Sequence, residues 1–196
     1  MSEFKPFKKI PRYTSEIVLT EKLDGTNASI LITEYPCETG VPMLTVEACS
    51  KNRVLGLGVL DNHGFCAWVQ EHETELKKLG VGQHYGEWYG RGIGRNYGLD
   101  HKRFALFNVG RWRDSSNEWL PVPGLPDCVE VVPVIGSAVY SSVDIDGAIN
   151  HLKTKGSIAV PGFMEPEGVI IYHKNSNQLF KRLVENDRGH KDATNL

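Results

Sequence analysis

The chain has 196 residues, of which 40% are hydrophobic and 23% charged, and this balance excludes a disordered or fibrous protein. Its 22 Lys and Arg residues against 24 Asp and Glu residues give a net charge of −2. That charge excludes nucleic-acid binding through a global positive field and leaves only a local patch for such binding. No apolar run reaches the ~18 residues that span a bilayer, and the N-terminal sequence MSEFKPFKKIPRY lacks the apolar stretch of a signal peptide. We therefore expect a soluble, intracellular protein that does not bind membranes.

The four cysteines are scattered, without a C-x-x-C spacing. No paired His ligands accompany them either, and this pattern argues against a disulfide framework or a structural zinc site, so we expect buried or half-buried thiols in a reducing compartment. The residues concerned are Cys37, Cys49, Cys66 and Cys128.

Segments rich in β-branched and aromatic residues predict a protein built mainly from strands. The segment Pro36–Pro42 is rich in turn-forming residues and separates the second strand from the third. In chain order, the predicted strands are Glu16–Thr20, Ala28–Glu34, Met43–Cys49, His84–Tyr89, Phe104–Gly110, Cys128–Val134, Gly168–His173 and Leu179–Val184.

Two segments, Gly64–Leu79 and Asp144–Lys155, place apolar residues on one helical face, and a glycine follows each. Strands outnumber helices, and no Gly-, Ser- or Pro-rich linker divides the chain. We therefore predict an α+β fold of antiparallel β-sheets with flanking helices, in one domain over residues 1–196. The polar tail from Asn186 is predicted to fray.

Positive charge is concentrated between Lys77 and Arg113, where eight basic residues stand against two acidic ones, a local net charge of +6. Aromatic residues lie among these cations. Cations interleaved with aromatic rings are typical of a site for a phosphate-rich, base-stacking ligand. The alternative is an ordinary solvated surface. The aromatic residues are Trp88, Tyr89, Tyr97 and Trp112.

The segment Glu21-Lys22-Leu23-Asp24-Gly25-Thr26-Asn27 joins two predicted strands. A turn here can hold the Lys22 amine over a pocket. Burial beside other cations disfavours the ammonium form, so such an amine becomes a usable nucleophile. The alternative is a plain hairpin turn, because Asp-Gly is a common turn dipeptide.

Five short motifs follow one another along the chain and resemble, in order, motifs I, III, IIIa, IV and V of the covalent nucleotidyltransferases. That superfamily includes ATP-dependent DNA ligases, RNA ligases and mRNA capping enzymes. The K-x-D-G-x-N form, with an E-G-V-I-I strand, looks most like the RNA ligase branch. The resemblance implies a nucleotidyltransferase fold (ATP-grasp-like, of the ligase adenylation type). The motifs are Lys22–Asn27, Gly86–Gly90, Phe104–Val109, Glu167–Ile171 and Leu179–Lys181.

The resemblance implies two catalytic lysines. Lys22 would attack the α-phosphate of ATP to form lysyl-AMP and release pyrophosphate. Lys181 would contact the α-phosphate and stabilise its transition state. Attack on phosphorus needs a neutral amine and cations around the oxygens, which agrees with this allocation.

The resemblance also assigns a nucleotide pocket. Glu87 would accept hydrogen bonds from the ribose hydroxyls as an ionised carboxylate, and Phe107 would stack on adenine, with Phe104 as the alternative. Arg53 would touch ribose and the terminal substrate, with Lys51 as its rival. Glu21 would lie near the adenine edge. Further pocket residues from the same motifs are Asp24, Gly25, Asn27, Glu167 and Lys181.

The implied cofactors are ATP and Mg²⁺ or Mn²⁺. Because Mg²⁺ keeps several waters, few protein ligands are needed, and we expect Glu167, with Asp24 through water, rather than a full protein cage. The implied partner is nucleic acid, RNA rather than DNA. In the loop Gly90–Arg95 we assign Arg91 and Arg95 to nucleic-acid contact; the alternative is contact with the triphosphate.

Two departures from the family pattern stand out. Motif V often has two lysines, K-x-K, but here the second position is Leu183, and Arg182 is expected to point to the opposite face of its strand. In addition, only 15 residues follow Lys181. We therefore expect a minimal catalytic core with neither the OB domain nor an accessory C-terminal domain, and without the N-terminal extension with which NAD-dependent ligases recognise nicotinamide.

The leading hypothesis is an ATP-dependent RNA or polynucleotide ligase that works through lysyl-AMP, AMP transfer to a 5′-phosphate, and strand sealing. A second is an AMP or GMP transferase to another acceptor, such as a capping-type 5′-diphosphate or a protein. A third is a non-catalytic nucleic-acid-binding module. A compact core without a targeting signal fits a viral or bacterial repair enzyme in the cytoplasm.

Overall fold

The computed structural model describes residues 4–37, 40, 42–58, 61–114, 117–140 and 142–185. Within these ranges the chain forms two main, largely antiparallel β-sheets, one short hairpin and a few helices, which confirms the predicted α+β class. The strands are β1 Glu16–Lys22, β2 Thr26–Tyr35, β3 Met43–Ser50, β4 Gly82–Gly90, β5 Lys102–Leu106, β6 Arg113–Asp114, β7 Asn117–Pro121, β8 Glu130–Val131, β9 Val134–Val139, β10 Gly168–His173 and β11 Gln178–Leu183.

The first sheet has the strand order β11-β10-β1-β9 and the second the order β3-β2-β4-β5-β8, in which β5 and β8 pair in parallel. Strand β1 leads into β2 through the turn at Leu23–Gly25, so this turn passes from one sheet to the other. The predicted lysine turn therefore lies where the two sheets meet.

The helices are α1 Phe65–Glu71, α2 Glu73–Leu76, α3 Val109–Trp112 and α4 Ser142–Lys155, with a 3₁₀ turn at Lys77–Leu79. The predicted helix Gly64–Leu79 is thus interrupted at His72, whose φ of −103° and ψ of 11° leave the helical range. The prediction for Asp144–Lys155 is confirmed by α4. None of the helices in the described ranges is long and apolar enough to cross a membrane.

Three clusters of buried side chains hold these elements together. One packs α4 against the first sheet through residues such as Leu19, Leu152 and Val169. A second packs α1 against the second sheet, with Phe65 and Phe104 fully buried. The third contains Leu23 of the lysine turn and Tyr89 of β4, so it packs the turn against the second sheet.

Several predicted boundaries differ from the structure. The predicted strand Phe104–Gly110 ends at Leu106, because the Asn108 side chain accepts a hydrogen bond from the Arg111 N–H and starts α3. The predicted strand Cys128–Val134 contains only the short β8 before β9 begins at Val134. Cys37 is exposed rather than buried or half-buried. The tail from Asn186 lies outside the described residues.

Candidate nucleotidyl-transfer site

Lys22 and Glu167 form an ion pair at the edge where the two sheets meet. The Lys22 Nζ lies 2.6 Å from the Glu167 Oε2, and both side chains are mostly buried, with 22% and 18% exposure. Lys22 ends β1 and pairs in register with Gly168, the first residue of β10, so Glu167 stands diagonally across from it. The sheet register therefore brings two distant motifs into contact.

The charged group in contact with Lys22 differs from the expectation. The turn was expected to bury the amine beside other cations, but the contact found is with a carboxylate, and Glu87 also interacts with Lys22. Opposite charges hold the amine in place, and each offsets part of the other's desolvation.

Glu87 lies on β4 with its carboxylate over the lysine turn. The Glu87 Oε1 accepts a hydrogen bond from the Gly25 N–H at 3.1 Å, and Glu87 pairs in register with Asn27. Burial raises the pKa of Glu87 to about 7; Glu167 and Asp24 add to the rise, and Lys22 and the Gly25 N–H oppose it. A carboxyl with this pKa is only partly ionised at neutral pH, and the role of Glu87 as an acceptor for the ribose hydroxyls stays a prediction.

Gly25 permits the close approach of the turn to β4. A Cβ atom at this position would lie 2.4 Å from the Trp88 carbonyl oxygen and 2.8 Å from the Tyr89 Cβ. Both distances are steric clashes, and neither neighbouring atom can move aside without a shift of the β4 backbone. Any side chain here would push the turn away from Glu87. The glycine of the K-x-D-G motif is thus required by packing.

Asp24 is held by the loop that follows β4. The Asp24 N–H donates to the Tyr97 hydroxyl at 2.7 Å, and the Arg95 Nε lies 3.5 Å from the Asp24 Oδ2. Arg95 also donates to the carbonyl oxygen of Glu165 at 3.1 Å. The assignment of Arg95 to nucleic-acid contact stays a prediction, because its side chain is exposed as well as bonded to these two protein groups. Arg91 is exposed and donates to the Asp100 carbonyl at 3.3 Å.

Glu21 points to the opposite face of β1 from Lys22 and is 1% exposed. Its Oε2 accepts hydrogen bonds from the N–H groups of Ile158 and Ala159 at 2.8 and 2.9 Å. Its Oε1 is buried as well. Burial raises the pKa of this carboxyl, and hydrogen bonds from the Ser157 side chain and the two backbone N–H groups oppose the rise.

The two candidate stacking residues lie on opposite faces of the second sheet. Phe104 is fully buried in the cluster under α1. Phe107 follows the end of β5, donates its N–H to the Tyr85 carbonyl and is 38% exposed. Since Ala105 pairs with Glu87, alternation places Phe107 on the same face as Glu87. Phe107 is therefore the ring that a ligand can reach.

Lys181 lies on β11 opposite Ile170, which in turn pairs with Thr20 of β1. Alternation along these antiparallel strands puts Lys181 on the same face of the first sheet as Lys22, and its side chain is exposed. Arg182 points to the other face, where its guanidinium bonds the Asp146 carboxylate of α4 at 2.9 Å. This agrees with the expected orientation of Arg182. Leu183 shares the Lys181 face.

A recess of about 340 Å³ opens beside Asn27 and contains both rival cations, Arg53 and Lys51, so the geometry does not separate them. Cations and amide groups on one recess are suited to a polar, negatively charged ligand. The recess is lined by Thr26, Asn27, Ser50, Lys51, Asn52 and Arg53.

The two carboxylates expected to serve a metal, Glu167 and Asp24, are each paired with a cation. In the part of the chain that the structure describes, no group of three or more His, Cys, Asp or Glu residues is arranged to hold a metal ion. These residues fit a divalent cation that takes most of its ligands from water and from phosphate oxygens, as Mg²⁺ does.

The aromatic residues within the basic stretch do not form a stacking surface. Trp88, Tyr89, Tyr97 and Trp112 are all buried, with 8% exposure at most. The expectation that these rings serve base stacking is therefore wrong. Sequence analysis missed the role of Tyr97, which contacts the backbone of Asp24, because no local pattern marks a contact with a residue 73 positions away.

The sequence and the structure were both compared with known proteins. The family model described as RNA ligase matches residues 15–184. Two solved structures of an RNA ligase from Naegleria gruberi, both variants with ATP and Mn, are similar to this chain at 16% identity, with TM-scores of 0.51 and 0.53. They cover 86% and 87% of this chain and 49% and 50% of the other. An apo variant of that ligase matches with a TM-score of 0.53, 16% identity, and coverage of 86% and 49%.

These structural matches show that the chain shares the fold of that ligase, and this chain spans about half the length of the ligase it matches. No curated protein matches the sequence.

Proposed function

The chain belongs to the RNA ligase family, and from this we propose that it is an ATP-dependent RNA ligase that works through AMP bound covalently to Lys22. The observation that carries the proposal is the contact between Lys22 and Glu167, with Glu87 in the same cluster. Three motifs that lie far apart in the sequence meet there around one amine.

The first step forms a bond between the Lys22 Nζ and the α-phosphorus of ATP. The bond from that phosphorus to the oxygen bridging the α- and β-phosphates breaks, and pyrophosphate leaves. The ammonium must lose a proton before its lone pair can attack. The Glu167 carboxylate, hydrogen-bonded to the Nζ at 2.6 Å, would take that proton.

We assign the nucleoside to the groups around this amine. Glu87 would accept hydrogen bonds from the ribose hydroxyls, and Phe107 would stack on adenine with its exposed ring. Glu21, the residue before Lys22, would lie near the adenine edge, as the resemblance implies.

The phosphates would lie along the face that carries Lys181, which we assign to the α-phosphate. Glu167 and Asp24 would hold a hydrated Mg²⁺ or Mn²⁺ ion, which when bound neutralises charge on the phosphate oxygens. Each carboxylate meets its cation through one oxygen, Glu167 through Oε2 and Asp24 through Oδ2, so the other oxygen of each would face the metal or its water.

The second and third steps need a polynucleotide. AMP would pass from Lys22 to a 5′-phosphate, and a 3′-hydroxyl would then displace AMP to seal the strand. The recess with Arg53 and Lys51 opens beside Asn27 and offers cations for the strand. Arg91, exposed on the loop after β4, offers another. The RNA ligase family favours RNA over DNA as the strand.

Incubation with ATP labelled at the α-phosphate, with Mg²⁺ or Mn²⁺, followed by denaturing electrophoresis, tests the first step. We expect a label on the protein that is lost in acid and stable in base, as a phosphoramidate is. Lys22→Ala should abolish the label. Lys174→Ala, which removes an exposed ion pair with Glu16 at the far end of β1, is the matched control and should label as the wild type does. Unlabelled wild-type protein under both metals would overturn the proposal.

The acceptor is tested by adding strands with a 5′-phosphate. An adenylated or sealed RNA strand supports the ligase. Strong self-labelling without transfer to RNA or DNA would instead indicate a nucleotidyltransferase with another acceptor, such as a 5′-diphosphate end or a protein.

A further inference from the structure

The loop from Arg91 to Leu99, which follows β4, packs directly on Asp24. A Cβ atom on Gly94 would lie 2.7 Å from the Asp24 carbonyl oxygen and 2.9 Å from its Cγ, so only glycine allows this approach. The φ of Gly94 is +51°, a conformation that glycine adopts without strain. The loop therefore reaches the lysine turn at van der Waals distance.

Arg95 joins two parts of the site through one guanidinium. Its Nε pairs with the Asp24 carboxylate at 3.5 Å, and its Nη1 donates to the Glu165 carbonyl at 3.1 Å. Asp24 lies two residues after Lys22, and Glu165 lies two residues before Glu167. One side chain thus connects the two segments that carry the ion pair of the site.

Tyr97 holds the backbone of the same turn. Its hydroxyl accepts the Asp24 N–H at 2.7 Å, and the residue is 2% exposed. The ring packs against Tyr89 and Phe163, with centroid separations of 5.3 and 4.6 Å. This packing fixes the hydroxyl, so the acceptor for Asp24 is preorganised.

The loop keeps a costly backbone conformation to do this. Asn96 and Tyr97 have φ values of +61° and +53°, and each left-handed residue other than glycine costs roughly 1–2 kcal/mol. The Asn96 side chain accepts the Gly92 N–H at 2.7 Å, which stabilises the turn. Backbone strain of this kind persists only where the surrounding structure holds the strained residues in place, and such residues are concentrated at functional sites.

We infer that Arg95 and Tyr97 are positioning residues, which hold Asp24 and Glu165 so that Lys22 and Glu167 stay in register for attack on phosphorus. The inference rests on the proposed function for its kinetic consequence. It gives Arg95 a task in the first step, without any polynucleotide, and so differs from the assignment of this arginine to nucleic acid.

The kinetic test measures lysyl-AMP formation in a single turnover without RNA, as a function of ATP concentration. Arg95→Ala should lower the maximal rate at least about tenfold and change the half-saturating ATP concentration less than about threefold. Arg95→Lys keeps the ion pair to Asp24 but loses the fork to Glu165, so its rate should be intermediate. Lys174→Ala is the control for loss of an ion pair.

A double-mutant cycle distinguishes positioning from a general structural effect. In an Asp24→Asn background, Arg95→Ala should slow the reaction by a clearly smaller factor than in the wild type, because the ion pair is already lost and only the contact with the Glu165 carbonyl remains to be removed. An undiminished effect in that background would overturn the inference. So would an Arg95→Ala variant that labels at the wild-type rate and loses only RNA affinity, since that is the behaviour of a nucleic-acid contact.

An exchange measurement separates this inference from the proposed function. Tyr97→Phe removes the acceptor of the Asp24 N–H and should speed hydrogen exchange of that amide at least about tenfold, as followed by NMR without ATP. Tyr13→Phe, which removes an exposed hydroxyl contact with Tyr140, should leave it unchanged. Wild-type protein that never labels with ATP would overturn the ligase, whereas equal exchange in Tyr97→Phe and wild type would overturn the positioning role.

Discussion

The Lys22 amine and the Glu167 carboxylate lie 2.6 Å apart although 145 positions separate them in the sequence. Adjacent strands β1 and β10 create this contact, because Lys22 ends one and Glu167 precedes the other. We therefore expect Glu167→Gln to slow lysyl-AMP formation at least about tenfold, since the amide neither attracts the amine nor accepts its proton. The rate of self-labelling with α-labelled ATP measures this. Glu16→Gln, which breaks the exposed pair with Lys174, is the matched control, and equal rates in the two variants would contradict the role of Glu167.

Glu87 makes stability depend on pH. Its pKa is raised from 4.5 to about 7, mainly by burial, so between these values the folded state holds a proton that the unfolded state has released. The protonated Glu87 carboxyl therefore contributes to the free energy of unfolding at pH 4.5, and this contribution is lost as the pH rises through 7. The fall in the free energy of unfolding between pH 5 and pH 8 should be smaller in Glu87→Gln by on the order of 2 kcal/mol.

Urea titrations of wild type and Glu87→Gln at several pH values measure the difference. Burial also raises the pKa of Glu21, which adds a pH dependence of the same sign to both proteins and cancels in the comparison. If the free energy of unfolding changed with pH by the same amount in the two proteins, the Glu87 carboxyl would ionise as it does in water, which would contradict the prediction.

The two phenylalanines near the end of β5 should respond differently to substitution. Phe107→Ala should raise the ATP concentration for half-maximal labelling about tenfold, equivalent to ~1.4 kcal/mol of stacking, at little cost in stability. Phe104→Ala should lower the free energy of unfolding by about 3–5 kcal/mol, because that ring is fully buried. Phe107→Tyr keeps the ring and should label like wild type. A Phe107→Ala variant with unchanged ATP dependence would exclude adenine stacking on Phe107.

Two glycines of the loop after β4 offer a matched pair of substitutions. Gly92 and Gly94 have φ values of +75° and +51°, so alanine costs roughly 1–2 kcal/mol of backbone strain at either. A Cβ on Gly92 meets no atom within 4 Å, whereas one on Gly94 collides with Asp24. Gly94→Ala should therefore be the more destabilising and also lower the labelling rate at least about tenfold, with Gly92→Ala near the wild-type rate. Equal melting temperatures and labelling rates in the two variants would show that the loop can move away from Asp24 at no cost, which would contradict the prediction.

The fold class and much of the strand pattern could be predicted from the sequence because alternation and turn residues are local signals. The prediction for Gly168–His173 matches β10 at both ends. The prediction for Phe104–Gly110 runs too far because the stop comes from the Asn108 side chain, and an apolar run does not reveal such a cap. The break at His72 likewise has no marker in the helical periodicity.

The candidate site could be predicted as a set of residue types, because the motifs resemble a family with known roles. What the resemblance did not provide is how those groups are held. The pairing of Arg95 with Asp24 and Glu165, and the hydroxyl of Tyr97 on the Asp24 backbone, depend on a loop with left-handed residues whose path no local pattern determines. The titration of Glu87 near neutral pH depends on burial, which appears only when β4 packs over the lysine turn.

The strand order β11-β10-β1-β9 determines when, during synthesis of the chain, Lys22 gains its neighbours in the sheet. Strand β1 precedes β9 and β10, its neighbours on both sides, in the sequence, and Glu167 follows Lys22 by 145 positions. A nascent chain therefore carries Lys22 without its sheet neighbours until these strands have been synthesised. The contact between Lys22 and Glu167, on which the proposed first step depends, forms only after that point.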